Sequence, residues 1–161
     1  MDPIIYYRRA TLDDIKALTT LRLAFLAEIS GAIASDDALR AAIVRYFSES
    51  IPSGNFTAFL ALADEQIIAA SGMTWHHHPP SNKNPTGREA YIMNMFTQPE
   101  FRRRGIATRL LEMLIQEARQ NQCAKISLHV MPGARSIYSN LGFEPIETEM
   151  RLNLLPDPAN R

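Results

Sequence analysis

Tyr91-Ile92-Met93-Asn94-Met95-Phe96-Thr97-Gln98-Pro99-Glu100-Phe101-Arg102-Arg103-Arg104-Gly105-Ile106-Ala107-Thr108 is the stretch that decides the fold. It opens apolar, turns at Thr97 to Glu100, passes three arginines and a glycine, and enters an amphipathic segment running to Gln120. A strand, a basic turn and a helix start in that order make an anion site on physical grounds. The first N–H groups of a helix have no partner within it and point outward. The helix dipole adds partial positive charge there, about 0.3–1 kcal/mol for a nearby anion. Gly105 lets backbone approach a phosphate without a Cβ in the way. The arginines can add forked, charge-assisted hydrogen bonds. Neither the P-loop pattern Gly-x-x-x-x-Gly-Lys-Ser/Thr nor the dinucleotide pattern Gly-x-Gly-x-x-Gly occurs. The anion is therefore open at this point, and so is an ordinary helix start whose arginines face water.

Outward from that stretch, strands and helices alternate. Ile4 to Arg8 is short, aromatic and β-branched, a first strand. Thr11-Leu12-Asp13-Asp14 resembles a capping box with Asp in place of Glu. Ile15, Leu18, Leu21, Arg22, Phe25 and Ile29 follow at helical spacing, and Gly31 ends that helix. Ser35-Asp36-Asp37 begins another, with Leu39, Ala42, Ile43, Tyr46 and Phe47 on one face. Phe56 to Ala63 and Gln66 to Met73 flank Asp64-Glu65 as a hairpin. Trp75 to Gly87 reads as a proline-rich loop and Glu89 to Phe96 as a strand. Beyond the basic turn, Ile106, Leu110, Leu111, Leu114, Ile115 and Ala118 form an apolar stripe. Lys125 to Met131 reads as a strand, Ala134 to Leu141 as a short helix, and Phe143 to Ile146 and Glu149 to Leu154 as closing strands. Residues 155–161 read as a frayed tail.

The 161 residues are expected to form one domain, burying about 68–70% of the unfolded surface. Lys+Arg and Asp+Glu are each 17, so the net charge is zero, which argues against nucleic acid as the main partner. One cysteine, Cys123, forms no intrachain disulfide and no cysteine-rich zinc site. No apolar run approaches the roughly 18 residues of a membrane span, and the N-terminus lacks a signal-peptide pattern. A cytoplasmic protein without membrane attachment is the expectation. His76-His77-His78 are adjacent on an extended segment, so they alternate sides and do not converge on one ion; no metal is expected.

The residues carry a family resemblance. Arg102-Arg103-Arg104-Gly105-Ile106-Ala107 is similar to the Gln/Arg-x-x-Gly-x-Gly/Ala signature of the GNAT superfamily, the acetyl-coenzyme A-dependent N-acetyltransferases. Pro99-Glu100-Phe101-Arg102 matches the residues that often precede it, and Ile137-Tyr138-Ser139-Asn140-Leu141-Gly142-Phe143 resembles the block ending in Leu-Tyr-x-x-x-Gly-Phe. The element order agrees over residues 4–154. The resemblance implies an α/β (α+β) fold with a mixed, mostly antiparallel central sheet of six to seven strands. About four helices flank it, and its fourth and fifth strands splay apart. It implies acetyl-coenzyme A as cosubstrate in that opening. Met95, Phe96 and Thr97 would pair with the pantetheine arm. Arg102, Arg103, Arg104, Gly105, Ile106, Ala107 and Thr108 would hold the pyrophosphate. The family's Asn seven residues before the tyrosine is Met131 here, so that contact is not carried over.

Acetyl transfer requires a neutral amine, a donor for the oxyanion and a proton for the leaving thiolate. The resemblance places the donor at the backbone N–H of Met95 and the acid at Tyr138, which also touches the cofactor. Asn94 cannot act as a base but can orient substrate or water. Glu28, Trp75 and His129 are weaker acceptor-side candidates, Glu28 and His129 also as bases. Glu28, Asp36 and Asp37 hint at a cationic amine, although they are ordinary cap and surface residues too. The implied function is acetyl transfer to a primary amine of a small molecule or peptide, directly in a ternary complex. The competing reading is a non-catalytic acyl-coenzyme A sensor on the same scaffold; a third is an enzyme for longer acyl chains. The resemblance leaves a homodimer open.

Overall fold

A computed structural model describes residues 3–31 and 36–155. Met1, Asp2, the proposed helix start at Ser35 and the tail beyond Leu155 lie outside them. The described residues form two compact units, one up to Val130 and one from Met131.

The first unit is a five-stranded sheet in sequential order. Its strands are β1 (Ile5–Arg9), β2 (Phe56–Ala63), β3 (Gln66–His77), β4 (Arg88–Thr97) and β5 (Lys125–Ser127). The first four pair antiparallel, while β5 joins β4 in parallel. Between β1 and β2 run α1 (Ile15–Ser30) and α2 (Asp37–Ser50); α3 (Ile106–Gln120) joins β4 to β5. Asp36 caps α2, its Oδ1 accepting from Ala38 N–H at 2.9 Å.

The capping box is present. Thr11 N–H donates to Asp14 Oδ2 at 2.8 Å, and Arg8 grips both Asp14 carboxylate oxygens at 2.7 and 2.8 Å. The Arg8 guanidinium holds the buried Asp14 carboxyl below the usual range. This contact ties β1 to the start of α1.

Ile106, Leu110, Leu111, Leu114 and Ala118 are buried where α3 lies on β2, β3 and β4, so the stripe read from the sequence is the real contact face. Burying a leucine of this kind contributes about 1.5–3 kcal/mol. A second core joins Leu18, Leu21, Ile43, Phe47, Phe56, Ala58, Leu60 and Phe96. Gly72 makes room for it, because a Cβ there would lie 2.3 Å from Phe56 Cζ. The Phe56 ring meets Phe47 at 5.2 Å and Tyr46 at 5.9 Å, which seats α2 over the sheet.

Three expectations change. Trp75, His76 and His77 lie in β3 rather than a loop, since they pair with Ala90, Glu89 and Arg88. β5 ends at Ser127, not Met131, because its pairing with β4 stops at Tyr91–Ser127 although β4 itself runs on to Thr97. Among the described residues the sheet has five strands, not six to seven. Phe143 to Ile146 and Glu149 to Leu154 join no ladder among the described residues. Their alternating Ile146, Met150, Leu152 and Leu154 stand 61, 101, 82 and 86% exposed. An alternating pattern marks strand propensity, but a strand exists only where a neighbouring backbone completes its hydrogen bonds. The second unit holds one short helix, α4 (Arg135–Ser139).

Candidate active site

The site begins where β4 and β5 separate. Their pairing covers only Glu89 with Lys125, Ala90 with Ile126 and Tyr91 with Ser127. β4 continues to Thr97, so among the described residues its edge from Ile92 onward has no strand beside it on the β5 side. This is the splay expected of the fourth and fifth strands.

Within that free length β4 bulges. Ala70 of β3 pairs with Phe96, but Gly72 pairs with Met93, leaving Asn94 and Met95 opposite Ser71 alone. Asn94 takes the left-handed conformation, φ 56°. Asparagine tolerates that region better than most side chains. The extra residue shifts the register at Asn94–Met95, the kind of bulge often found beside sites, where it re-aims groups.

The chain then reaches the basic turn. Arg103 and Gly105 both have positive φ, 59° and 76°. Gly105 caps α3, and a Cβ there would meet nothing within 4 Å, so the space above it is open. The first backbone bond of the helix runs from Arg109 N–H to the Gly105 carbonyl, 3.0 Å. The N–H groups of Ile106, Ala107 and Thr108 precede it and have no acceptor within the helix. Free donors beneath open space, in line with a free strand edge, suit a phosphorylated ligand with an extended amide-bearing arm.

The three arginines differ. Arg102 is already engaged: Nε donates to the Thr97 carbonyl at 2.9 Å, and Nη2 pairs with Glu28 Oε2 at 2.6 Å. It braces the turn against β4 and α1. Arg104 lies against the Phe101 ring and bonds the Glu100 carbonyl at 3.3 Å. Arg103 is exposed.

The weaker candidates separate. Glu28 is held by Arg102. Trp75 points its Nε1–H at Thr57 Oγ1, 3.4 Å, within the sheet. His129 bonds the Tyr91 hydroxyl, and His76 meets the Tyr91 ring edge-on, centroids 6.4 Å apart. Among the histidines of the triple, His76 contacts Thr74 Oγ1, and His78, just past the end of β3, contacts Glu89. Cys123 is half-buried and its thiol bonds the Lys125 carbonyl; burial pushes it up.

In the second unit, Tyr138 of α4 is 9% exposed and packs edge-on against Phe143, with centroids 5.8 Å apart. Burial pushes its phenol above the ordinary value of 10.

Beside β4 lies a cavity of about 310 Å³, lined by Arg22 of α1, Ala42, Ile43, Tyr46 and Phe47 of α2, and Met93 and Asn94 of β4. Asn94, 6% exposed, accepts a hydrogen bond from Arg22 Nη1 at 2.7 Å. Sequence reasoning missed Arg22 as a site residue. The signal was present: an arginine at the helical spacing of Leu18, Leu21 and Phe25, where a core residue is expected.

The model of the acetyltransferase (GNAT) family matches residues 24–143. The chain belongs to the GNAT family. A predicted acetyltransferase from Clostridium acetobutylicum, solved with acetyl-CoA, is 32% identical with a TM-score of 0.85, over 94% of this chain and 97% of that one. A GCN5-related N-acetyltransferase from Ralstonia eutropha JMP134 has 21% identity and a TM-score of 0.83, over 94% and 99%. Glucosamine-6-phosphate N-acetyltransferase from Arabidopsis thaliana has 16% identity and a TM-score of 0.72, over 94% and 99%. The latter two speak to the fold alone. No curated protein matches the chain. No helix among the described residues is long and apolar enough to cross a membrane.

Proposed function

We propose that this GNAT chain transfers an acetyl group from acetyl-coenzyme A to a primary amine, directly in a ternary complex. The observation that carries the reading is the row of free N–H groups at Ile106, Ala107 and Thr108 under open space at Gly105. It lies at the end of the unpaired edge of β4. The acetyl-CoA bound by the 32% identical relative supports it.

The pyrophosphate sits on the N–H groups of Arg103 to Thr108, where the helix dipole favours negative charge. Met95, Phe96 and Thr97 offer backbone groups to the pantetheine arm as one strand does to another. Acetyl-coenzyme A supplies an acyl carbon activated as a thioester. The amine nitrogen forms a bond to that carbon and the carbon–sulfur bond breaks. The Met95 N–H, at the bulge of β4, donates to the carbonyl oxygen as it gains charge. A donor so placed is worth about 10²–10³ in rate. Tyr138 gives its proton to the departing sulfur. The proton lost by nitrogen balances the one gained by sulfur, so the products are the amide and the free thiol. A phenol raised above 10 is fully protonated at neutral pH, the state an acid needs.

Calorimetric titration with acetyl-coenzyme A tests this reading. Binding by the wild type that is lost in a folded Gly105→Glu variant, with thiol release on adding an amine, is the expected result. A folded wild type that binds neither acetyl-coenzyme A nor coenzyme A overturns it.

A further inference from the structure

Arg22 is an unusual cation for its place. It is half-buried on α1, and burial pulls its guanidinium below the ordinary range. Among the described residues no carboxylate pairs with it. Its neighbours are the Phe25 ring, 5.7 Å from the guanidinium carbon, and Asn94 Oδ1 at 2.7 Å. A guanidinium has five N–H donors in a fixed fork, so one bond to a neutral amide leaves most of its capacity unused. Removing an arginine from water without a counter-charge is costly, and such charges are normally paired.

The cavity beside it is otherwise apolar or aromatic, lined by Ile43, Phe47 and Met93, with the Tyr46 hydroxyl as the other polar group from α2. Its volume of about 310 Å³ is at the small end of ligand pockets, about 300–1,000 Å³. Asn94 lines it, and the next residue along the bulge is Met95, the proposed oxyanion donor. The acidic residues that hinted at a cationic acceptor do not line it. Glu28 is committed to Arg102 and Asp36 to capping α2.

We propose that this cavity receives the acceptor and that Arg22, aimed by Asn94, selects amines carrying a carboxylate or phosphate on a small apolar body. The inference rests on the acetyl-transfer reading for calling the ligand an acceptor. The choice of an anion over a cation rests on the cavity itself. The guanidinium fork matches either anion in two-point contact, and the ligand's charge supplies the missing counter-ion.

Matched probes test it by calorimetry, with and without saturating coenzyme A, so that no turnover intervenes. Leucine is compared with isopentylamine, O-phosphoethanolamine with ethanolamine, and putrescine serves as the dication. The expected result is that at least one anionic probe binds about 10- to 100-fold tighter than its uncharged-tail counterpart, the scale of a charge-assisted contact. Preference within the leucine pair assigns a carboxylate, and within the phosphate pair a phosphate. Arg22→Gln should erase that ratio and leave coenzyme A affinity unchanged; Arg22→Lys should keep part of it. If Arg22→Gln does not fold, the wild-type ratio and Arg22→Lys decide. Equal or tighter binding of putrescine or the neutral-tail amines, no binding by any probe, or a ratio untouched by Arg22→Gln each overturns the proposal. Coenzyme A titrated alone reports on acetyl transfer separately, because anion binding that depends on Arg22 is measured without it as well.

Discussion

The turn before α3 and the cavity under α1 and α2 both adjoin β4 and are built differently. The turn is made of backbone: N–H groups, two positive-φ residues and the absence of a Cβ at Gly105. The cavity is made of side chains drawn from three elements, with Arg22 and Asn94 meeting across 72 positions of sequence. A backbone site suits a ligand part that is always the same, such as a pyrophosphate. A side-chain site can change its ligand with one substitution. The first fits a constant cosubstrate and the second a variable acceptor, and the two should fail differently when mutated.

The largest effect is expected at the backbone site. Gly105→Glu puts a carboxylate where the phosphate charge would lie and forces a left-handed conformation, costing about 1–2 kcal/mol of stability. Acetyl-coenzyme A affinity should fall at least about 100-fold by calorimetry, since both repulsion and lost N–H contacts act together. Gly105→Ala should fold, because open space receives its Cβ. Its loss in affinity should be smaller. A Gly105→Glu variant that binds normally would break the assignment of this turn.

Tyr138→Phe comes next. Removing a general acid lowers kcat by about 10²–10⁴ while leaving cosubstrate binding in place. With the phenol raised above 10, activity in the wild type should climb as the amine loses its proton and not decline on account of Tyr138 until above about pH 10. Steady-state rates from pH 6 to 10.5 check this. Unchanged kcat in Tyr138→Phe would reduce the residue to packing against Phe143.

The contrast also explains what was legible before the structure. Contiguous features were: the strand, basic turn and helix from Tyr91 to Gln120, the α3 stripe and the Thr11–Asp14 capping box all depend on neighbours in sequence. The cavity was not, because Arg22, Tyr46 and Asn94 converge only after α1 and α2 fold over β4. In the sequence Arg22 reads as a periodic position and not as a ligand-facing charge. Asn94 reads as a polar residue on the splayed strand, but its bond to Arg22 depends on the bulge, and pairing offsets have no local sequence mark beyond a residue that tolerates positive φ. The closing strands failed for the opposite reason. Their alternation is plain from Ile146 to Leu154, yet pairing is a property of two segments and cannot be read from one.

Asp14 tests the frame apart from both sites. Its carboxyl is held down chiefly by the Arg8 hydrogen bonds, so the folded chain binds that proton less readily than the unfolded one. The stabilisation is present above the unfolded value of about 3.9 and is lost as pH falls through the lower folded value. Asp14→Asn should therefore lower the melting temperature at pH 7, with the difference from wild type shrinking below about pH 4. Acetyl-coenzyme A affinity should be unchanged. A pH-independent difference would mean that shape, not charge, is what Asp14 contributes.

The smallest effects separate two adjacent arginines. Arg103→Ala removes an exposed charge next to the proposed pyrophosphate seat. A contact of this kind is worth about 0.2–1 kcal/mol, a roughly 1.4- to five-fold loss of affinity. It should fade in high salt, since exposed charges are screened over about 10 Å at 0.1 M. Arg102→Ala acts through structure instead. It removes the Nε bond to the Thr97 carbonyl and the Glu28 pair, both of which brace the turn. Its affinity loss should persist at high salt, because a displaced backbone is not restored by screening, and it should be accompanied by a small drop in melting temperature that Arg103→Ala lacks. Salt titration of both variants decides the matter. If the two lose affinity with the same salt dependence, both side chains reach the phosphates, and the turn is less purely a backbone site than its geometry makes it.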